Sequence, residues 1–170
     1  MDFRELVTTR ASVRRYEQRP VEEDLLRQVL EAARLAPTAD NRQPFRLLVI
    51  TDEPTRTAMA GAYSRKWFYT APVIIVACAV AGEAWVRKDG ATYVETDVAI
   101  VMDHLILQAA DLGLGTCWIA DFHPAVVREV LHLPPELEPL ILTPLGYPAQ
   151  PARIKRRRSL RTLVQWGAYS

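Results

Sequence analysis

Val73-Ile74-Ile75-Val76-Ala77-Cys78-Ala79-Val80 is apolar at every position. A strand with one wet face carries a polar residue at every second place, so this run reads as a strand buried on both faces. Upstream, Phe45 to Thr51 is a second β-rich run. Downstream, Thr116 to Ile119 and Leu140 to Leu145 read as further strands. Helical patterns fall between them. Phe3 to Thr9 is a short first helix. Glu22 to Leu35 repeats Leu25, Leu26, Val29, Leu30 and Ala33 at helical spacing until Pro37 stops it. A weaker helix spans Pro54 to Ala62, and another runs from His123 to Leu131. Gly82 to Ala91 is polar and loop-like. Such an alternation predicts helices packed on a central sheet.

The longest helix opens at a capping box, Thr92-x-x-Glu95, and ends at Gly113. From Val98 to Leu112 it is apolar on most of its circumference, which places it in the middle of an assembly. The tail beyond Pro148 has no home in its own core. Both features point to a second copy completing the fold.

The chain has 170 residues, 49% of them hydrophobic and 24% charged, as befits one soluble domain. No apolar run spans a bilayer, and Met1-Asp2-Phe3-Arg4-Glu5 lacks the apolar core of a signal peptide. A cytoplasmic protein is expected, with no membrane partner. Cys78 and Cys117 lie within apolar runs and read as buried free thiols. The net charge of +1 hides an asymmetry. Arg153, Lys155, Arg156, Arg157, Arg158 and Arg161 crowd one stretch, and no acid follows Glu138. Without those six, 15 basic residues face 20 acidic ones, a balance of about −5. A basic tail on an acidic body needs an anionic partner or a solvated exit.

Several chemistries lack their residues. Gly113-Leu114-Gly115 follows a helix, the reverse of the order that aims a helix at a pyrophosphate. Phosphate-loop and serine-elbow motifs are absent. His104, His123 and His132 show no zinc-site spacing and read as structural. No metal is expected, nor a catalytic side chain; a bound cofactor would carry the reactivity.

Three segments could receive one. Arg10-Ala11-Ser12-Val13-Arg14-Arg15-Tyr16 gathers guanidiniums and a hydroxyl suited to a phosphate dianion, or to a solvated basic loop. Ala36-Pro37-Thr38-Ala39-Asp40-Asn41-Arg42-Gln43-Pro44-Phe45 offers amides that donate and accept, or a plain helix stop. The third is Gly113-Leu114-Gly115-Thr116-Cys117-Trp118-Ile119-Ala120-Asp121-Phe122, followed later by Lys155-Arg156-Arg157-Arg158.

With Pro144-Leu145-Gly146-Tyr147-Pro148, these segments resemble, in order and spacing, the compact members of the nitroreductase family of FMN-dependent oxidoreductases. The resemblance implies an α+β, three-layer fold: a mostly antiparallel sheet flanked by helices, in an intertwined homodimer with two FMN sites at its interface. The chain would be one domain over 1–170, with 149–170 a basic tail packed on the partner subunit. Arg10, Ala11, Ser12 and Arg14 would hold the phosphate and ribityl chain, joined by Lys155 and Arg157. Pro37, Thr38, Ala39, Asn41 and Gln43 would come from the partner against the flavin ring. Trp118, Ile119, Ala120 and Asp121 match the segment whose backbone approaches N5 and O4. Ala120 and Asp121 replace a Glu-Gly pair of larger members, and Trp67 stands near a lysine that those members carry. The covering insertion shrinks to Gly82 to Thr92. Trp67, Trp85 and Tyr93 are candidates for lining the substrate pocket.

The expected reaction is a ping-pong transfer of hydride, through flavin N5, from NADH or NADPH to a small electron-poor acceptor such as a nitroaromatic or quinone. Enone reduction, dehalogenation or flavin breakdown on the same fold is the alternative. An anion- or nucleic-acid-binding module built on the basic tail is a rival of another class; a nucleic-acid partner is not expected.

Overall fold

The computed structural model describes residues 1–151 and 155–168. Arg153 of the basic stretch lies outside them. Strand β2 (Val73–Val80) is buried along its whole length, as its composition requires. It pairs antiparallel with β1 (Phe45–Ile50) on one side and with β4 (Leu137–Gly146) on the other. The short β3 (Gly115–Thr116) pairs antiparallel with β4, giving the order β1-β2-β4-β3. An isolated parallel bridge, Ser12 to Thr116, leaves the sheet mostly antiparallel.

Period-two alternation then assigns the two faces of β2 to two cores. Val73, Ile75, Ala77 and Ala79 pack under α2 (Glu23–Arg34) and α5 (Val94–Asp111). Ile74, Val76 and Cys78 face Met59, Phe68 and Val127, brought by the segment after α3 (Glu53–Ala58), by α4 (Lys66–Tyr69) and by α6 (Pro124–Val130). The α+β, three-layer architecture follows directly: helices, sheet, helices.

Several boundaries differ from expectation. The last strand is longer than 140–145, because a bulge absorbs Leu140: Ala77 pairs with Ile141, but Cys78 pairs with Pro139. The expected strand 116–119 forms a ladder only at its start, and Ile119 rejoins β4 at Leu142. Helix α4 falls in a stretch too short and aromatic to show a helical period. The capping box does not form. Thr92 is drawn into a small hairpin by its bridge to Val86, so α5 opens after Tyr93 without a side-chain cap.

At its other end α5 stops as expected. Gly113, at φ +76°, donates to the Ala110 carbonyl at 3.1 Å, and Leu114 donates to Ala109 at 2.8 Å. That pair of bonds is a Schellman ending, which the left-handed glycine permits. Both cysteines are free and buried. Among the described residues no helix is long and apolar enough to cross a membrane.

The outer side of α5 is not fully covered. Met1, Phe3, Leu6, Ala32, His104 and Leu107 line an open groove of about 540 Å³ where it meets α1 (Phe3–Thr9). The tail bears α7 (Leu160–Leu163), and its Leu160, Leu163, Val164 and Trp166 are exposed, Trp166 to 89%.

Candidate functional site

Helix α1 ends at Arg10, and the chain then runs extended along the edge of the sheet. The Val13 N–H donates to the Thr116 carbonyl at 2.8 Å. The approach is so close that a Cβ on Gly115 would lie 2.6 Å from Val13 Cγ2. On the other side, Glu17 N–H donates to Tyr147 and Ala149 N–H to Arg15, each at 2.9 Å. Buried Tyr16 closes the seam, its hydroxyl donating to the Val13 carbonyl at 2.7 Å. Three of the four sequence motifs thus meet in one place.

In an extended segment Arg10, Ser12 and Arg14 share one side. All three approach the Cys117 thiol. Burial pushes that thiol's pKa up, while Arg14, Ser12 and Arg10 pull it back. The tail returns to the same place. Lys155 Nζ donates to the Val7 carbonyl at 2.6 Å. Burial, then the charges of Arg10 and Arg157, hold its ammonium below the usual lysine pKa.

Arg19, Arg27, Arg34, Arg46 and Arg87 each hold a carboxylate. Among the described residues no carboxylate pairs with Arg10, Arg14, Lys155 or Arg157. Gathering like charges without a counter-charge is unfavourable in the free chain and favourable once a dianion arrives. The donor set therefore fits a phosphate group. A cavity of about 230 Å³ opens beside it, lined by Thr9, Arg10, Ala11 and Val13 with Gly113 and Thr116.

From Gly115 the chain continues along β4. Cys117 N–H donates to Thr143 Oγ1 at 3.2 Å, and Ile119 exchanges two backbone bonds of 2.9 Å with Leu142. Trp118 is 39% exposed, and Ala120 and Asp121 are exposed beyond it. This edge runs on from the cation cluster along β4.

The loop after α2 lies elsewhere. Asp40, Asn41 and Gln43 have φ of 54°, 52° and 53°. Such left-handed residues cost on the order of 1 kcal/mol or more each and persist only where the surroundings hold them. Here Gln43 N–H donates to Thr38 Oγ1 at 3.0 Å, and Gln43 Nε2 donates to the Asn41 carbonyl at 2.9 Å. The Ala39 N–H donates to Asp97 Oδ1 at 2.8 Å. Asp97 is only 2% exposed, and among the described residues its Oδ2 meets no donor. Sequence reasoning missed Asp97. Its one signal was an acid at helical spacing with Val94, Val98 and Val101.

Strand register separates this loop from the cations. Phe45 pairs with Ala79 and Ala79 with Glu138, whereas Thr116 pairs with Leu145 and Leu145 with Val73. The two groups stand at opposite ends of β2 and opposite edges of the sheet, about 20 Å apart along the strands and about 14 Å across them. One chain does not bring them together.

The aromatic candidates divide in the same way. Trp85 and Tyr93 pack edge to face at 5.7 Å, with Arg87 Nη1 donating to the Tyr93 hydroxyl at 2.8 Å. They flank the end of β2 that also carries the loop, where Val80 N–H donates to the Pro44 carbonyl at 2.9 Å. Trp67 packs against Tyr63 in the core on the other face of the sheet.

The family model described as Nitroreductase family matches residues 7–66 and 56–147. A crystal structure of a nitroreductase family protein from Clostridium difficile 630 superposes with a TM-score of 0.92 at 37% identity, covering 99% of this chain and 100% of that one. A protein of Thermus thermophilus named NADH dehydrogenase is 29% identical, with 98% of this chain and 96% of the relative covered. A structure named FMN-dependent nitroreductase, from Clostridium difficile R20291, shares the fold with a TM-score of 0.84 at 22% identity, over 96% of this chain and 98% of that one.

Proposed function

The chain belongs to the nitroreductase family, and on that premise we propose that it is an FMN-dependent oxidoreductase passing hydride from NADH or NADPH to a small electron-poor acceptor, such as a nitroaromatic or a quinone. The observation that carries this reading is that Arg10 and Arg14 both bear on the Cys117 thiol and Arg10 and Arg157 both bear on the Lys155 ammonium, with no carboxylate among the described residues paired to any of these cations. When bound, FMN supplies the hydride chemistry at its N5. The protein's part is to bind, orient and enclose.

Arg10, Ser12 and Arg14, with Lys155 and Arg157, grip the phosphate; charge-assisted bonds of this kind contribute roughly 1.5–3 kcal/mol each. The 118–121 backbone would hold the ring, and Trp118, which is exposed, would border the acceptor site. The Pro37–Gln43 loop reaches the ring from the partner subunit, because register places it too far away in its own chain. Trp85 and Tyr93, beside that loop, come with it.

The same arithmetic calls for a homodimer. Its free surfaces match: an apolar groove along α1 and α5 on one protomer, and exposed Leu160, Leu163, Val164 and Trp166 on the other. Asp103 in the groove complements the basic tail, whereas Asp111 holds the Met1 ammonium at 3.0 Å. The chain is then one domain whose residues after 148 dress the partner. Two buried free thiols fit the reducing conditions of a cytoplasm.

The visible spectrum of freshly purified protein tests the proposal. Flavin bands that bleach on addition of NADH or NADPH and return with a nitroaromatic or quinone are the expected result. A colourless protein that takes up no FMN when supplied would end the proposal.

A further inference from the structure

Resting on the reading that the Pro37–Gln43 loop faces a flavin ring, we infer that Asp97 is a positioning residue: by gripping the Ala39 N–H it fixes that loop against the ring. Three observations carry this. The carboxylate is 2% exposed, yet it lies in the first turns of a helix whose neighbouring inward positions, Val94, Val98 and Val101, are apolar. A buried charge in such company is expensive unless it has work to do.

Its hydrogen bond, 2.8 Å to Ala39 N–H, reaches a residue 58 positions away, at the root of the turn where Asp40, Asn41 and Gln43 are left-handed. Within the turn, the bonds from Asn41 to Thr38, from Arg42 to Ala39 and from Gln43 to Thr38 are local, so they shape the turn without fixing it to the body. Asp97 ties the turn to α5, the helix at the centre of the molecule. Its second oxygen has no donor among the described residues, so an amide in its place loses no bond to Ala39 but buries an NH2 group there, a milder change than removing the acceptor.

Two substitutions break the contact from opposite sides. Asp97→Ala removes the acceptor. Ala39→Pro removes the donor and sets its Cδ against the Asp97 oxygen, which drives the two apart; the backbone itself admits it, because Thr38, at φ −135° and ψ 159°, has the extended conformation required before proline, and Ala39 opens a 3-10 turn. Asp97→Asn keeps an acceptor for Ala39.

Dissociation constants are measured by fluorescence quenching for FMN and for riboflavin, which lacks the phosphate. Asp97→Ala and Ala39→Pro are each expected to weaken both ligands by the same factor, about tenfold or ~1.4 kcal/mol. The double variant is no worse than the worse single one, and Asp97→Asn, which keeps the acceptor, binds more tightly than Asp97→Ala. A lowered melting temperature with unchanged flavin binding in Ala39→Pro would overturn the inference. Loss of FMN affinity without loss of riboflavin affinity would do the same, since it would place the effect at the phosphate end. Amide exchange over residues 38–44 is followed in parallel without flavin. It quickens in both variants if Asp97 holds the turn, and its constancy refutes the hold. If the unmodified protein takes up no flavin, the functional reading itself has failed, while the exchange data still decide separately whether Asp97 holds the turn.

Discussion

Val13 closes over Gly115: a methyl group on that glycine would stand 2.6 Å from Val13 Cγ2 and 2.8 Å from its Cβ. Both are atoms of a β-branched side chain with little freedom to turn away. The contact is the seam by which the guanidinium-bearing segment lies on the sheet.

Gly115→Ala therefore forces that seam open. Overpacking of this kind costs about 1–3 kcal/mol. A lower melting temperature is expected together with weaker FMN binding, and Val13→Ala in the same chain should restore only part of both, since its Cβ still stands 2.8 Å from the new methyl. Thermal melts and flavin titrations of the single and double variants decide it; a harmless Gly115→Ala would show that the seam is loose.

Arg10→Ala removes one arm of the proposed phosphate grip. FMN should bind roughly 10–100-fold more weakly, the equivalent of about 1.5–3 kcal/mol. Riboflavin affinity should stay unchanged. Equal weakening of the two ligands would place Arg10 away from the phosphate.

The acid side of stability reports on Glu22. The Tyr147 hydroxyl and Arg19 hydrogen-bond its carboxylate and hold its pKa down, to about 2. A depressed carboxyl contributes stability above the unfolded value near 4.5 and loses it as the pH falls toward about 2. Melting curves of the native protein and of Glu22→Gln should therefore differ at pH 6 and converge near pH 2. The gap should be small and sensitive to salt, since the group is exposed. A gap that persists at pH 2 would assign the difference to something other than this charge.

The two thiols should be inert in the folded protein. Burial pushes Cys78 up to about 11 and raises Cys117 despite nearby Arg14. The thiolate is the reactive form. A disulfide reagent at pH 8 should label neither until the chain unfolds; rapid labelling of Cys117 would mean that the 115–119 edge opens.

Leu160→Ser with Trp166→Ser tests the tail without touching its cations. If these side chains pack on a second protomer, sedimentation should show dimers dissociating at markedly higher protein concentration, by about 1.5–3 kcal/mol per buried side chain. An unchanged equilibrium would leave the two residues as ordinary surface.

Much of this was legible in the chain because period and punctuation agreed. The unbroken apolar run at Val73–Val80 announced a sheet with two covered faces, and Gly113 announced the end of α5. The cluster at Arg10, Ser12, Arg14, Lys155 and Arg157 was readable only through family resemblance, since its halves lie more than a hundred residues apart. What stayed hidden depended on tertiary contact. Thr92 and Glu95 spell a cap, yet the bridge between Val86 and Thr92 wins because the hairpin claims the same residue. Asp97 reads as a blemish in an apolar helix until Ala39 is found beside it.

The opposite corners occupied by Arg10 and Asn41 carry a genetic consequence. A subunit crippled at Arg10 still offers a sound loop, and one crippled at Asn41 still offers a sound cationic seat. In the proposed dimer each variant alone would have both of its centres impaired. Co-expressed, the two should complement, each mixed pair regaining one intact centre and carrying one that is doubly broken.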